Sequence, residues 1–153
     1  METHAYDELY LGKARACLGR MLDFAVNELG YDIDVFFGMF IGSGLAKRFS
    51  TGECTLTVGR SGVELAYDVL YESGIDFDII ERRYDLEKSP EYWVGWALAY
   101  YQWSRSLRFD EIIRRIPLRF IRELWSPYHE MDVRHFCDRM DVLLADKNLQ
   151  IQP

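Results

Sequence analysis

The chain has 153 residues, 49% of them hydrophobic and 28% charged, with a net charge of −7 and a mean hydropathy of −0.18. This is the size and balance of one globular domain able to bury about two thirds of its unfolded surface, which excludes a disordered chain. Its apolar runs fall far short of the ~20 residues of a membrane-spanning helix, and the acidic early N-terminal segment lacks the basic-then-apolar order of a secretory signal.

From about Asp7 to Leu29, apolar residues Leu11, Ala14, Leu18, Met21, Leu22 and Ala25 recur every three or four positions. The spacing predicts an amphipathic helix, stopped by Gly30. Asp32 or Asp34 then caps a helix over Val35 to Ile41, whose Phe36, Phe37 and Phe40 need a core. Gly42-Ser-Gly44 interrupts it, and Leu45 to Phe49 adds a turn before the breaker Ser50-Thr-Gly52. Thr55, Thr57 and Val58 favour extended backbone, so Glu53 to Gly59 is expected to be a short strand. Its candidate partner is Ile75 to Ile80, where Ile75, Phe77 and Ile79 alternate with Asp76, Asp78 and Ile80.

Between these two segments, Ser61-Gly-Val-Glu64 is a capping box, in which hydroxyl and carboxylate each satisfy an orphan backbone N–H. Val63, Ala66, Tyr67 and Leu70 form the apolar face of that helix, and Gly74 ends it. Glu81 to Lys88 is charged and aperiodic, a connector. Ser89-Pro90-Glu91 starts a helix to about Arg105, with N-cap, proline at the first helical position and a carboxylate in the first turn. Short helices follow over Phe109 to Arg115 and from Pro117 to near Trp125. Asp132 caps the last helix, to about Ala145, with Val133, Phe136, Met140, Leu143 and Leu144 inward. The expected fold is mainly α: a compact single domain of six to seven helices over residues 1–145, a minimal two-stranded β-ribbon, and a frayed tail over 146–153.

Cys17, Cys54 and Cys137 are odd in number, widely separated and in no CxxC pattern. They are expected to be reduced thiols of a cytoplasmic protein, with Cys17 and Cys137 acting as small core residues. Trp93, Trp96, Tyr100 and Trp103 make one helical stripe, better suited to the main core than to a partner groove. Gly95 and Ala99 form a small-residue seam on another side, where a neighbouring helix can approach closely, and Tyr92, Tyr101 and Gln102 lie off the stripe as candidate exposed contacts.

The segment from Tyr128 to His135 gathers His129, Glu130, Asp132 and His135. A zinc-protease helix needs histidines at i and i+4. These are six apart, which turns them about 120° from each other around a helix axis. No metal, cofactor or catalytic residue is assigned, since the glycines of Gly42-Ser-Gly44 have no dinucleotide-loop context and no serine sits in a nucleophile elbow.

Charge is uneven. Residues 1–88 carry 9 basic and 16 acidic side chains, whereas 89–153 carry 9 of each. From Glu64 to Glu87 eight carboxylates face only Arg82 and Arg83, a composition that repels phosphate backbones and attracts a basic partner, although any solvated surface is also charged. Arginine outnumbers lysine 14 to 4, and arginine is enriched at interfaces because its planar fork pairs and stacks. Arg105, Arg108, Arg114, Arg115, Arg119 and Arg122 cluster in eighteen residues. They are expected to pair with the acidic face or to rim a protein interface, with a nucleic-acid patch as the competing use.

The segments YLGKARACLGRMLDFAVNELGYDID, FIGSGLAKRFSTG, GRSGVELAYDVL, SPEYWVGWALAYYQW and YHEMDVRHFCDRMD, from about Tyr10 to Asp141, resemble a family of small uncharacterised proteins from gut Firmicutes and related bacteria. Genes of that family lie beside a predicted ADP-ribosyltransferase-like toxin, an arrangement similar to a toxin–antitoxin operon. The resemblance implies a non-enzymatic protein-binding component, an antitoxin or accessory partner, and transfers no functional residues. Because a NAD-using transferase must hold a pyrophosphate, its cleft is expected to be basic, and an acidic surface would block it. The candidate surface here is Glu64, Asp68, Glu72, Asp76 and Asp78, with Tyr92 and Tyr101 as aromatic contacts. Two alternatives stand: a small enzyme acting on the toxin's product through His129, Glu130, Asp132 and His135, and a DNA-binding autoregulator using Arg105 to Arg122.

Overall fold

The structure, a computed structural model, describes residues 3–81 and 88–149. Among these the chain forms a 3-10 turn at Glu8–Tyr10 and ten helices, with no strand. They are α1 (Leu11–Asn27), α2 (Ile33–Gly42), α3 (Leu45–Ser50), α4 (Cys54–Thr57), α5 (Gly62–Glu72), α6 (Pro90–Arg105), α7 (Phe109–Ile113), α8 (Leu118–Glu123), α9 (Trp125–Tyr128) and α10 (Val133–Ala145).

Helix α1 is the hub, packed along α6 and α5. Leu18, Met21, Leu22, Phe24 and Ala25 are fully buried, against Val94, Ala97 and Leu98 of α6 and Leu65, Ala66 and Val69 of α5. Burial of each large side chain contributes about 1.5–3 kcal/mol. The approach is backbone to backbone. A Cβ on Gly95 would lie 2.5 Å from the Leu18 carbonyl oxygen, and one on Gly62 would lie 2.5 Å from the Met21 nitrogen. The small-residue seam predicted on α6 is therefore where α1 sits, with Ala99 also fully buried.

The helix starts follow the sequence closely. Asp32 accepts from the Asp34 and Val35 amides to open α2, Ser61 and Glu64 complete their capping box, and Ser89 accepts from the Tyr92 amide. Asp132 caps α10. Gly30 and Gly74, both with positive φ, lie just beyond α1 and α5. The phenylalanines of α2 meet Phe49 and Phe109, with ring centroids 5.3–6.0 Å apart, in one aromatic nucleus joining α2, α3 and α7.

Among the described residues the expected ribbon is absent, and ten helices stand where six to seven were expected. Glu53 to Gly59 closes into α4, because the Glu53 carbonyl accepts from the Leu56 and Thr57 amides and Leu56 and Thr57 are buried. A strand needs a ladder partner, whereas this turn satisfies its amides locally. Ile75–Ile80 carries no regular secondary structure and lies on the surface. The helix expected from Pro117 to near Trp125 is α8, which ends at Glu123. A further short turn not expected from the sequence, α9, follows over Trp125–Tyr128, with Ser126 in the extended backbone favoured before a proline. Most of the connector expected over Glu81 to Lys88 falls on residues 82–87, outside the described residues. Of the tail, Leu149 leans on the core, Arg115 donates to the Asp146 carbonyl, and residues 150–153 lie outside the described residues.

One polar network, centred on the buried Glu91, ties α1, α6 and α8. Glu91, 3% exposed, accepts from the Asn27 amide at 2.9 Å and pairs with the Arg122 guanidinium. Asn27 also donates to Asp23, which accepts from the Ser89 hydroxyl at 2.6 Å.

Two stability measurements check this packing. Gly95→Ala should lower urea-unfolding stability by about 1–3 kcal/mol, because neither backbone can retreat from the new methyl. Gly38→Ala, on α2 with open space around its Cβ position, should raise it by about 0.5–1 kcal/mol. Separately, Arg122→Ala should cost about 1–3 kcal/mol, a buried-pair loss discounted because Arg122 is half exposed. Adding Glu91→Gln should recover part of that loss, since it removes the stranded charge.

Candidate functional site

The acidic candidates divide into two groups. Glu64 and Asp68 are internally compensated: the Arg60 guanidinium reaches Asp68 at 2.8 and 2.9 Å and Glu64 at 3.3 Å. Glu64 also completes the capping box of α5. Glu72, at the end of α5, shares an open groove with Arg48 and Arg60 and adds to the larger effect of Glu53 in raising the Arg48 pKa. Asp76 and Asp78, on the segment beyond, make no ion pair among the described residues. Gly74 turns the chain out of the helix, and the Ile75 amide donates back to the Leu70 carbonyl at 3.0 Å.

Beyond that turn the surface is apolar as well as acidic. Ile75, Phe77, Ile79 and Ile80 are all exposed, Ile79 at 74%, beside Tyr71 at 74%. Tyr67 on α5 holds the segment in place: its ring stacks on Phe77 with centroids 5.1 Å apart, and its hydroxyl accepts from the Ile80 amide at 3.1 Å. Single exposed apolar side chains are ordinary, but four within six residues, interleaved with carboxylates, make a patch. The alternation that suggested a strand was the signal for this patch. Burial was what the sequence could not supply.

Tyr92 and Tyr101 do not join the patch. Tyr101 is 1% exposed and donates its hydroxyl to Asp141 at 2.7 Å, while Arg105 clamps both oxygens of the same carboxylate. Burial pushes the Tyr101 phenol up, and the Arg105 hydrogen bond holds Asp141 below the usual carboxylate range. Gln102, likewise expected outside, is buried and donates to the Ser50 and Leu107 carbonyls. Tyr92 is half-buried against Gly19, with the Lys88 ammonium 4.7 Å over its ring. The face of α6 assigned to solvent is inward because α6 is covered by α1 on one side and meets α10 and α8 on others. Of the predicted core stripe, Trp93 and Trp103 are buried, while Trp96 and Tyr100 are half-covered and flank Arg15, whose guanidinium lies 3.4 Å over the Trp96 ring.

The polar cluster from His129 to His135 is divided by the fold. His129 stacks flat on Trp125, centroids 3.8 Å apart, with Nδ1 2.6 Å from the Trp125 carbonyl and Nε2 3.7 Å from Glu130. Asp132 caps α10 and pairs with Arg134, whose hydrogen bond holds its carboxyl down at about 2. His135 and Asp132 line one feature, an open groove of about 650 Å³ shared with His4, Arg105, Arg134 and Asp138, which His129 and Glu130 do not line. Among the described residues no three His, Cys, Asp or Glu side chains converge to hold a metal ion.

The clustered arginines are engaged within the molecule, though not with the acidic face. Arg105 pairs with Asp141, Arg108 with Asp110, Arg119 with Asp34 and Arg122 with Glu91. No helix of the described residues is long and apolar enough to cross a membrane.

Thiol chemistry is restricted to one position. Cys17 and Cys137 are buried and Cys54 is exposed. Burial pushes the Cys17 and Cys137 thiols up to about 12, and for Cys17 the carboxylates of Glu64 and Asp68 add to it. A thiol-specific disulfide reagent at pH 8 should therefore modify one cysteine quickly, none in Cys54→Ser, and all three only after unfolding. Rapid modification of a second thiol in the folded chain would contradict this placement.

No protein-family model, curated protein or solved structure matches the chain.

Proposed function

We propose that this chain is a non-enzymatic protein-binding component, the antitoxin or accessory partner of an ADP-ribosyltransferase-like toxin. The single observation that carries this is the exposed strip from Tyr71 to Ile80, where apolar side chains alternate with Asp76 and Asp78, which make no ion pair among the described residues. Such a surface suits a partner that is basic and partly apolar: the acids steer encounter, and the isoleucines and Phe77 supply area to remove from water. A cleft shaped to bind the pyrophosphate of NAD has this character, and occupation of its rim would exclude cofactor or substrate.

Two features favour this use over the alternatives. Of the arginines from Arg105 to Arg122 that could contact DNA, Arg105, Arg108, Arg119 and Arg122 hold intramolecular carboxylates, and breaking those pairs would offset the gain from phosphate contacts. His129, needed for acid–base work beside His135, is committed to the Trp125 ring and carbonyl.

The test is coexpression with the neighbouring genes, scored by growth and by purification of any complex. Rescue identifies an antitoxin, and enhanced toxicity an accessory. Charge reversal, Asp76→Lys with Asp78→Lys, should weaken the complex about tenfold or more at low salt, with the helical circular dichroism unchanged. An unchanged affinity at low salt would remove the acidic strip from the interface.

A further inference from the structure

We infer that Ile75–Ile80 is a strand donor, which completes the open edge of a β-sheet in a basic partner protein. The inference rests on the protein-binding function proposed above and specifies how that surface engages.

The backbone is the main observation. The segment is tied at its two ends, by the Ile75 amide to the Leu70 carbonyl and by the Ile80 amide to the Tyr67 hydroxyl. Between those ties the amides and carbonyls of Asp76, Phe77, Asp78 and Ile79 have no partner among the described residues. Four extended residues span about 13 Å, enough for one short ladder. A row of unpaired donors and acceptors along exposed backbone is a template for pairing with another strand.

Composition points the same way. Ile75, Phe77 and Ile79 alternate with Asp76 and Asp78, and β-branched and aromatic side chains of period two fit a pleated, half-covered surface. A docked helix satisfies its own amides and would leave those of Asp76 to Ile79 unmatched, whereas a sheet edge pairs them.

Charge selects the occupant. Glu72, Asp76, Asp78 and Glu81 crowd one short stretch, so a second copy of this chain would bring two such sets together. Like charges across a ladder are destabilising, whereas lysine or arginine opposite Asp76 and Asp78 is stabilising. The fitting edge strand carries basic residues on one face and apolar residues on the other.

The experiment uses the full-length, 15N-labelled chain and, as probe, an eight-residue peptide of alternating lysine and valine at low salt. Strand addition predicts saturable shifts over residues 75–80 at roughly millimolar peptide. It also predicts alternate slowing: the amides of Asp76 and Asp78, or those of Phe77 and Ile79, should exchange about tenfold or more slower, while the intervening pair keeps its free rate. Asp76→Lys with Asp78→Lys should abolish both effects. Shifts with uniform or absent slowing would overturn strand addition and leave the acidic strip as a docking surface of another mode. No saturable response from Glu72 to Glu81 would overturn both. Slowing that grows with protein concentration in the absence of peptide would assign the edge to a second copy and overturn the basic partner.

Discussion

Backbone contact between α1 and its two main neighbours is the constraint on which the rest of the molecule depends. Gly19 and Gly95 let α6 lie directly on α1, and Gly62 lets the first turn of α5 meet Arg20 and Met21. With the axes this close, the leucines, valines and alanines of three helices fill one another's gaps, with Phe24 fully buried among them. The same core continues into an aromatic group from α2, α3 and α7, and into a second where Trp93 and Tyr101 meet Phe136 of α10. The same contact fixes α5 by its N-terminus, so its C-terminal end points the chain after Gly74 into solvent.

The distribution of ion pairs gives that exposed end its character. Arg105, Arg119 and Arg122 pair with Asp141, Asp34 and Glu91, joining elements distant in sequence, while Arg108 pairs locally with Asp110. Arg60 serves Glu64 and Asp68. Carboxylates such as Asp7, Asp32 and Glu123 also make no ion pair among the described residues, but those of Asp76 and Asp78 lie where apolar side chains remain uncovered. Neither property alone would mark the place, because surfaces are ordinarily charged and isolated exposed apolar residues are common. Their overlap, on backbone with no ladder partner, distinguishes this strip from the rest of the surface.

Much of the fold was legible because its signals are local. Asp32, Ser61 with Glu64, Ser89 with Pro90, and Asp132 open their helices through side-chain chemistry contained within four residues. The seam at Gly95 and Ala99 was visible as a run of small residues on one helix face. The failures are those that depend on distant neighbours. Thr55, Thr57 and Val58 have extended propensity, yet burial of Leu56 and Thr57 closes them into a helical turn. Periodicity placed Tyr101 and Gln102 outside, because a stripe argument assumes one covered face, while α6 is covered on several. The candidate site was half legible. The alternation over Ile75 to Ile80 is visible in the sequence, but its expected mate forms α4, so the segment read as half of an internal ribbon is surface backbone without regular secondary structure.

The central claim is that the strip from Tyr71 to Glu81 is where this chain meets another protein. Hydrogen–deuterium exchange across the whole chain, alone and in the complex purified by coexpression, tests it most directly. The account predicts new protection concentrated on residues 71–81, with the groove around His135 and the arginine-bearing helices α7 and α8 unchanged. Protection of α7, α8 or the His135 groove, with residues 71–81 exchanging as in the free chain, would contradict it.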